Sequence, residues 1–350
     1  MDGSTRAARL SVLGGPRIVR VMPGGEAIEP VLIAGAGALG SVVGGLLAAR
    51  GFPVTLLGRA DHLESVRREG LRIEGLFGEH HVRDLSCVSD AAELRGRFGT
   101  VFLTVKSWDT DAVAAAVAPH LASGGHLVSL QNGLGNLERA AAAVGDERVL
   151  GARVIFGAEV MEPGRVRVTV EAAPVLVGSP EATDPARTAA ASRWAATLRG
   201  AGIPAELTTS LLAELWAKLF YNAALNPLGA LLGVPYGRLP ENPDARAIMD
   251  DAIEEAFAVA RASGVRLAWP DAGGYRTLFY GALVPATARH RSSMLQDLER
   301  GRPTEIDAIN GYVAARGGTL GIPTPVNATW TRMIRARVRS SRPSEEPWTH

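Results

Sequence analysis

The sequence has very little cysteine. Cys87 is the single cysteine among 350 residues. One thiol can form neither an internal disulfide nor a cysteine metal cluster, so the sequence excludes both kinds of site, and we predict no metal site. A chain without disulfides suits a reducing compartment, and we expect a cytoplasmic protein.

The sequence also lacks an excess of charge of either sign and lacks long apolar runs. Lys and Arg together number 37 against 36 Asp and Glu, so the formal net charge is +1. This balance gives no electrostatic argument for a nucleic acid or an anionic membrane as the partner, and we expect neither. No stretch of about 18 residues is free of polar interruption, so we expect no membrane-spanning helix.

The two ends of the chain differ in composition from the middle. Residues 1–30 lack the continuous apolar core of a signal peptide. We expect a disordered extension or a misassigned start there, with a targeting role as the alternative because of four basic residues, Arg6, Arg9, Arg17 and Arg20. Residues 339–350 are rich in Ser, Pro and Glu, and we expect a flexible tail.

The apolar pattern between these ends predicts an α/β fold. The run "PVLIAGAGALGSVVGGLLAARGFPVTLLG" has the pattern of a strand, a tight turn, a helix and a second strand. Residues 100–106 and 126–132 are further strand candidates separated by a helical segment, which predicts a Rossmann-type parallel sheet wrapped by helices. Residues 149–178 are typical of consecutive strands joined by the turn "EPG", and we expect them to extend the sheet edge as antiparallel strands.

The remainder of the chain has a helical pattern with Gly and Pro breaks, and one of the expected helices spans residues 286–301. We therefore predict two domains, a dinucleotide-binding Rossmann domain over 31–205 and an all-helical domain over 206–338 that carries substrate-binding and catalytic residues. The sequence is compatible with a homodimer and does not fix the oligomeric state.

The loop after the first predicted strand matches G-x-G-x-x-G. Its glycines are Gly35, Gly37 and Gly40, and the loop opens a helix. The first glycine permits a tight turn, the second lets the backbone approach a pyrophosphate, and the third permits close packing of the helix on the strand. We predict that a dinucleotide binds along Gly35, Ala36, Gly37, Ala38, Leu39 and Gly40.

The end of the second predicted strand indicates the type of dinucleotide. Arg59 stands where an NAD enzyme carries an acidic residue for the ribose hydroxyls, and arginine can pair with a 2′-phosphate. We therefore predict NADPH/NADP+. Asp61 leaves an alternative open, as an NAD-type acid if the strand boundary is shifted; otherwise we expect it to cap the following helix.

The stretch "KLFYNAALN", residues 218–226, carries polar groups through an apolar helix. Lys218, Asn222 and Asn226 follow each other at intervals of four and form one stripe. In a reductase that transfers hydride to a ketone, the lysine could protonate the oxygen and the asparagines could hold substrate oxygens; the alternative is a solvated helix face. Pro227 is expected to disturb the helix and free carbonyls near this site.

Two polar residues are predicted to end strands of the parallel sheet. Lys106 and Asn132 follow the strand candidates at the edge where open α/β sheets bind their ligands. Each also has an ordinary interpretation, as a solvated lysine and an Asn-Gly turn.

Five motifs in order, "GAGALG", "TVKSWDT", "LQNGLGN", "WAKLFYNAALNPLGAL" and "SSMLQDLERGRPTEIDAING", resemble the ketopantoate reductase (2-dehydropantoate 2-reductase) family. The resemblance covers about residues 31–335. It implies a Rossmann domain followed by a helical domain of the 6-phosphogluconate dehydrogenase type, and NADPH-dependent reduction of 2-dehydropantoate to (R)-pantoate on the route to coenzyme A.

The resemblance also implies roles for individual residues. Lys218 matches the general acid, and Glu305 matches a catalytic glutamate beside the nicotinamide ribose and the lysine. The residues implied to bind substrate are Asn132, Asn222, Asn226 and Ser293. Lys106, Asn132, Arg59 and Glu305 match cofactor contacts, Arg59 at the 2′-phosphate.

One position departs from the family pattern. Tyr236 stands ten residues beyond Asn226, where some members have asparagine. The departure leaves two alternatives open beside 2-dehydropantoate reduction. The chain could reduce another 2-oxo acid with NADPH, or it could be an NADP-binding sensor without catalysis, although a sensor has no need of Lys218 together with Glu305 and Ser293.

Overall fold

A computed structural model describes residues 29–180 and 183–340 of the chain. The expectations about residues 1–28 and about residues 341–350 lie outside the described residues. Among the helices described, none is long and apolar enough to cross a membrane.

The larger sheet forms the Rossmann-type part of the fold. Its eight strands lie in the order β12-β11-β8-β7-β6-β1-β2-β5. The six strands from β8 to β5 in this order are mutually parallel, whereas β11 runs antiparallel to β8 and parallel to β12. The ranges are β1 Val31–Ala34, β2 Val54–Leu57, β5 Ser86–Val88, β6 Phe98–Leu103, β7 Leu121–Ser129, β8 Val149–Arg153, β11 Val175–Gly178 and β12 Ala205–Leu207. The predicted parallel sheet with antiparallel edge strands is confirmed.

Part of the predicted sheet edge belongs elsewhere. A second sheet has the order β4-β3-β10-β9, with β3 Leu71–Gly75, β4 His80–Val82, β9 Phe156–Glu162 and β10 Arg165–Glu171. The turn "EPG" does join β9 to β10 as an antiparallel hairpin. The expectation that these two strands extend the main sheet is wrong, because β10 pairs with β3 instead. Periodicity identifies a strand but not its partner.

Helices cover both faces of the main sheet and form the C-terminal part of the chain. Those of the first part are α1 Ala38–Ala49, α2 Ala60–Glu69, α3 Thr110–Val117, α4 Asn136–Val144 and α5 Pro185–Gly200. Those of the second part are α6 Leu211–Leu232, α7 Pro243–Ala262, α8 Ala272–Leu278, α9 Val284–Ala286, α10 Ser293–Glu299, α11 Asn310–Leu320 and α12 Pro325–Ser340. The predicted change to an all-helical pattern after β12 is confirmed.

The helical part shares a hydrophobic core with one face of the sheet. Successive residues of β1 point to opposite faces, so Leu32 and Ile33 belong to two different buried clusters. The cluster around Leu32 also contains Trp216 and Phe220 of α6. The apolar positions of α6 thereby hold its polar stripe against the carboxyl edge of the sheet. The proposed domain boundary near residue 205 stays a prediction.

Two local expectations in the helical part are corrected. Residues 286–301 were expected to be one helix, but the helix α10 begins only at Ser293. Pro227 does not interrupt α6, which continues to Leu232. Proline removes the donor for the carbonyl four residues earlier, and the freed carbonyl of Ala223 accepts a hydrogen bond of 3.0 Å from the Asn310 side chain, so it serves packing rather than the candidate site.

Candidate active site

The glycine loop lies at the carboxyl end of β1, as its motif predicts. Gly35 has φ +119°, a conformation that side chains rarely adopt, and an added Cβ would lie 2.5 Å from the main-chain nitrogen of Val105. An added Cβ on Gly40 would lie 2.7 Å from Thr104 Oγ1, so this glycine permits α1 to pack closely.

Gly37, between them, has open space around an added Cβ, and α1 has no side-chain cap. The first main-chain amides of α1 therefore face a space in which a phosphate group can lie, which fits the predicted dinucleotide.

Arg59 lies beside this loop. An added Cβ on Gly58 would lie 2.8 Å from Cβ of Ala36, so the end of β2 abuts the glycine loop. Arg59 is the N-cap residue of α2, and its side chain is 76% exposed. The expectation that Asp61 caps α2 is wrong, because Asp61 lies inside the first turn, where its carboxylate complements the helix dipole.

The segments that follow β6 and β7 carry Lys106 and Asn132 to the same edge. The strands end at Leu103 and Ser129, so each residue lies three positions beyond its strand rather than closing it. The loop after Asn132 turns at Gly133, whose φ is +81°, and the Leu134 amide donates a hydrogen bond of 2.8 Å to the carbonyl of Ala308. This contact joins the sheet edge to the segment that contains Glu305.

Lys106 forms two ion pairs with the helical part. Its Nζ lies 3.3 Å from Oε2 of Glu305 and 3.3 Å from Oδ2 of Asp297. Glu305 also accepts a hydrogen bond of 3.3 Å from the main-chain amide of Ser107. Partial burial disfavours the charged amine, but the two carboxylates outweigh it and raise the pKa of Lys106 above its ordinary value.

The resemblance implies a contact between Glu305 and the catalytic lysine, but within the described residues the ion pair of Glu305 is with Lys106. Lys218 instead donates hydrogen bonds to two uncharged oxygens, Oδ1 of Asn132 at 2.5 Å and the carbonyl of Val154 at 2.6 Å. Burial lowers the pKa of Lys218 to about 8, opposed by the carboxylate of Glu305 and assisted by the positive charge of Arg153.

The two asparagines of the stripe are buried on α6. Asn222 is 9% exposed and Asn226 is 5% exposed. Asn226 Oδ1 accepts a hydrogen bond from the hydroxyl of Tyr236. Within the described part of the chain, neither the Asn222 amide nor the Asn226 amide nitrogen has a hydrogen-bond partner, so both remain free to bind a ligand.

A cleft lies where the segment after β7 meets α6 and α10, and Lys106, Lys218 and Asn222 are not among the residues that line it. Of the predicted site residues it is lined by Asn132, Asn226, Ser293 and Glu305, and the other lining residues are Met294, Asp297 and Ile309. Ser293 is exposed at the start of α10. The preceding residue, Ser292, is fully buried and caps α10 through a hydrogen bond of 3.0 Å from the Leu295 amide.

Sequence reasoning missed three contributors to the site. Asp297 follows Ser293 by one helical turn, so the spacing of four could have identified it. The amide of Ser107 and the carbonyl of Val154 act through the main chain, and no residue type signals them.

Comparisons with known proteins give matches over most of the chain. Residues 31–181 match the model of the family described as "Ketopantoate reductase PanE/ApbA", and residues 210–338 match "Ketopantoate reductase PanE/ApbA C terminal". The chain is 35% identical over 306 residues to a 2-dehydropantoate 2-reductase of Aquifex aeolicus, which covers 87% of this chain and 96% of the relative.

Solved structures give the same result. A PanE/ApbA family ketopantoate reductase from Ralstonia eutropha JMP134 superposes with a TM-score of 0.79 at 35% identity, over 89% of this chain and 99% of that one. A D-mandelate dehydrogenase solved with NADH and anilino(oxo)acetate has a TM-score of 0.81 at 24% identity, over 89% and 99% of the two chains, and is similar in fold. The family models and the relative agree, and this chain belongs to the ketopantoate reductase family.

Proposed function

We propose that the protein is an NADPH-dependent 2-dehydropantoate 2-reductase, which produces (R)-pantoate for pantothenate biosynthesis. The observation that carries the proposal is the environment of Lys218. An amine with a pKa of about 8, hydrogen-bonded to the carbonyl of Val154 and to the cleft residue Asn132, is suited to donate a proton near neutral pH.

The residues at the sheet edge fit a nicotinamide dinucleotide. The glycine loop and the uncapped start of α1 would bind the pyrophosphate, and Arg59 would pair with a 2′-phosphate. Lys106, held by Glu305 and Asp297, would contact the cofactor where it enters the cleft, and Glu305 would reach the ribose. When bound, the nicotinamide supplies a hydride to the ketone carbon.

The protein's own residues supply the proton and orient the substrate. Lys218 donates its proton to the ketone oxygen, and its positive charge stabilises the negative charge that develops there. Asn132 accepts a hydrogen bond from the Lys218 ammonium and so directs it. The oxygens of the substrate are bound by Asn222, Asn226 and Ser293. Their side chains are two amides and a hydroxyl, so they bind the substrate without adding charge to the site.

The nearest alternative is a reductase of another 2-oxo acid. Tyr236, where some family members have asparagine, raises this alternative, but the relatives named 2-dehydropantoate 2-reductase do not favour it. An NADP-binding sensor is disfavoured, because binding alone has no need of the buried amine of Lys218. A cytoplasmic location and a homodimer belong to the same proposal. The single cysteine supports the first; for the second, oligomeric state would be measured by sedimentation.

The test is turnover of purified protein with NADPH or NADH and three substrates: 2-dehydropantoate, 3,3-dimethyl-2-oxobutanoate, which lacks only the 4-hydroxyl group, and pyruvate. We expect the highest kcat/KM with NADPH and 2-dehydropantoate. A higher kcat/KM with another 2-oxo acid would support the alternative, and no oxidation of either cofactor would contradict a reductase.

A further inference from the structure

Tyr236 is held in a fixed position against the substrate-binding helix. It is 2% exposed, and its main-chain amide donates a hydrogen bond of 3.1 Å to the carbonyl of His290. Its ring lies edge-on to Tyr221, with centroids 5.7 Å apart and planes at 84°, and 5.2 Å from the imidazole of His290. A ring packed in this way has one available direction for its hydroxyl group.

That hydroxyl group is directed at a residue of the cleft. It donates a hydrogen bond to Oδ1 of Asn226, which lines the cleft beside Asn132 and Ser293. Burial raises the pKa of Tyr236 well above its ordinary value, so the phenol keeps its proton and remains a donor at any pH at which the protein works.

An asparagine amide can rotate by half a turn, which exchanges its oxygen and its nitrogen. A phenol can donate or accept, but conjugation of its oxygen with the ring makes it the better donor, so it favours the orientation with Oδ1 toward the hydroxyl group, as in the structure. The NH2 group of Asn226 then points away from the phenol. Within the described residues it has no hydrogen-bond acceptor.

We propose that Tyr236 is a positioning residue for substrate specificity, which fixes the Asn226 amide so that its Nδ2 group donates a hydrogen bond to an acceptor oxygen of the bound 2-oxo acid. The inference rests on the proposed function. A site that presents a buried donor discriminates against ligands without the matching acceptor, because the donor would then stay unpaired. Tyr236 therefore acts through Asn226 rather than by direct contact.

The experiment is a double-mutant cycle. It measures ligand binding rather than turnover, so that variants without activity can still be compared. The dissociation constant of (R)-pantoate is measured by calorimetry on protein saturated with NADP+, for wild type, Tyr236→Phe, Asn226→Ala and the double variant. We expect Tyr236→Phe to weaken binding about tenfold, the effect of one hydrogen bond, and to have less than about a twofold effect in the Asn226→Ala background.

Tyr275→Phe is the matched control. The Tyr275 ring is fully buried, and its hydroxyl donates a hydrogen bond of 2.9 Å to the carbonyl of Ala217. The variant therefore loses a comparable hydrogen bond that does not involve Asn226. Its pantoate affinity should equal that of wild type. Repeating the cycle with 2-hydroxy-3,3-dimethylbutanoate identifies the acceptor: a loss restricted to pantoate assigns the 4-hydroxyl oxygen, and a loss with both ligands assigns an oxygen they share.

An unchanged dissociation constant in a folded Tyr236→Phe variant, or the same loss in both backgrounds, would overturn the positioning role while leaving the reductase proposal intact. Failure of wild type to bind pantoate or to turn over any 2-oxo acid would contradict the proposed function, and this inference with it.

Discussion

The ammonium group of Lys218 lies 2.5 Å from the side-chain oxygen of Asn132. The two residues are 86 positions apart, one on α6 and the other beyond the end of β7. An uncharged partner satisfies the hydrogen bond of the amine without stabilising its charge as a carboxylate would. Burial therefore dominates, and the pKa of Lys218 is lowered to about 8.

The first prediction follows from this neutral partner. In Asn132→Asp the introduced carboxylate would favour the charged amine, so the pKa of Lys218 should rise by about one unit or more. A lysine that acts as an acid is active when protonated, so kcat/KM of wild type should fall as the pH rises through about 8. In Asn132→Asp the fall in kcat/KM should occur at higher pH. The measurement is the pH dependence of kcat/KM at saturating NADPH.

Asn242→Asp is the control for that profile. Asn242 caps α7 through hydrogen bonds from the amides of Asp244 and Ala245, and aspartate can replace it as a cap. Its profile should match wild type. If kcat/KM falls at the same alkaline pH in wild type, Asn132→Asp and Asn242→Asp, the fall cannot be assigned to Lys218.

The second prediction concerns cofactor choice. Arg59→Ala should weaken the binding of NADPH by about 1.5–3 kcal/mol and the binding of NADH much less, because only NADPH carries the 2′-phosphate that can form a charge-assisted hydrogen bond. Arg68, another exposed arginine of α2, pairs with Glu69, and Arg68→Ala should leave both affinities unchanged. Fluorescence titration gives the dissociation constants. Equal losses for both cofactors, or a wild type that prefers NADH, would argue against the NADP assignment.

The third prediction concerns Asp297, which the sequence reasoning did not identify. Its buried carboxylate holds Lys106 on one side and Arg302 on the other, the latter at 2.7 Å. Asp297→Asn should weaken NADPH binding by roughly 1 kcal/mol, since Lys106 loses one of its two anionic partners. Arg302→Met should have a smaller effect because that side chain is 47% exposed. Calorimetric titration with NADPH compares the two variants, and an equal effect would remove the positioning role of Asp297.

The fourth prediction separates two adjacent serines. Ser293→Ala, like Asn222→Ala, should lower kcat/KM by a factor equivalent to about 1–3 kcal/mol, because a hydrogen bond to substrate is lost. The dissociation constant of NADPH should stay unchanged, because the glycine loop is intact. Ser292→Ala should instead cost about 1 kcal/mol of the free energy of unfolding, since Ser292 caps α10. Steady-state kinetics and thermal unfolding test both. A loss of NADPH affinity in step with activity would show Ser293 and Asn222 to be structural.

Much of the fold could be predicted from the sequence because its signals are local. The glycine loop, the strands beside it and the helical pattern after residue 206 depend on neighbouring residues, and the structure has them. Strand pairing is a long-range property, so the membership of β9 and β10 in a second sheet had no local signal. The helix expected over 286–301 was too long, because Ser292 caps α10 and separates it from the preceding residues.

The candidate site divides in the same way. Four of the residues that line the cleft, Asn132, Asn226, Ser293 and Glu305, could be proposed from the family motifs, whereas Asp297 was not. Their partners could not. The pairing of Glu305 with Lys106 rather than Lys218, and the hydrogen bond from Tyr236 to Asn226, depend on which elements meet in space.

The most direct test of the whole account is the rate of NADPH oxidation with 2-dehydropantoate for wild type, Lys218→Ala and Lys218→Arg, with folding checked by circular dichroism. We predict that wild type turns over and that Lys218→Ala loses a factor on the order of 10² or more in kcat. Lys218→Arg should stay severely impaired, because arginine keeps the charge but is a poor proton donor with a pKa above about 12. Near-wild-type turnover in a folded Lys218→Ala variant would contradict the account.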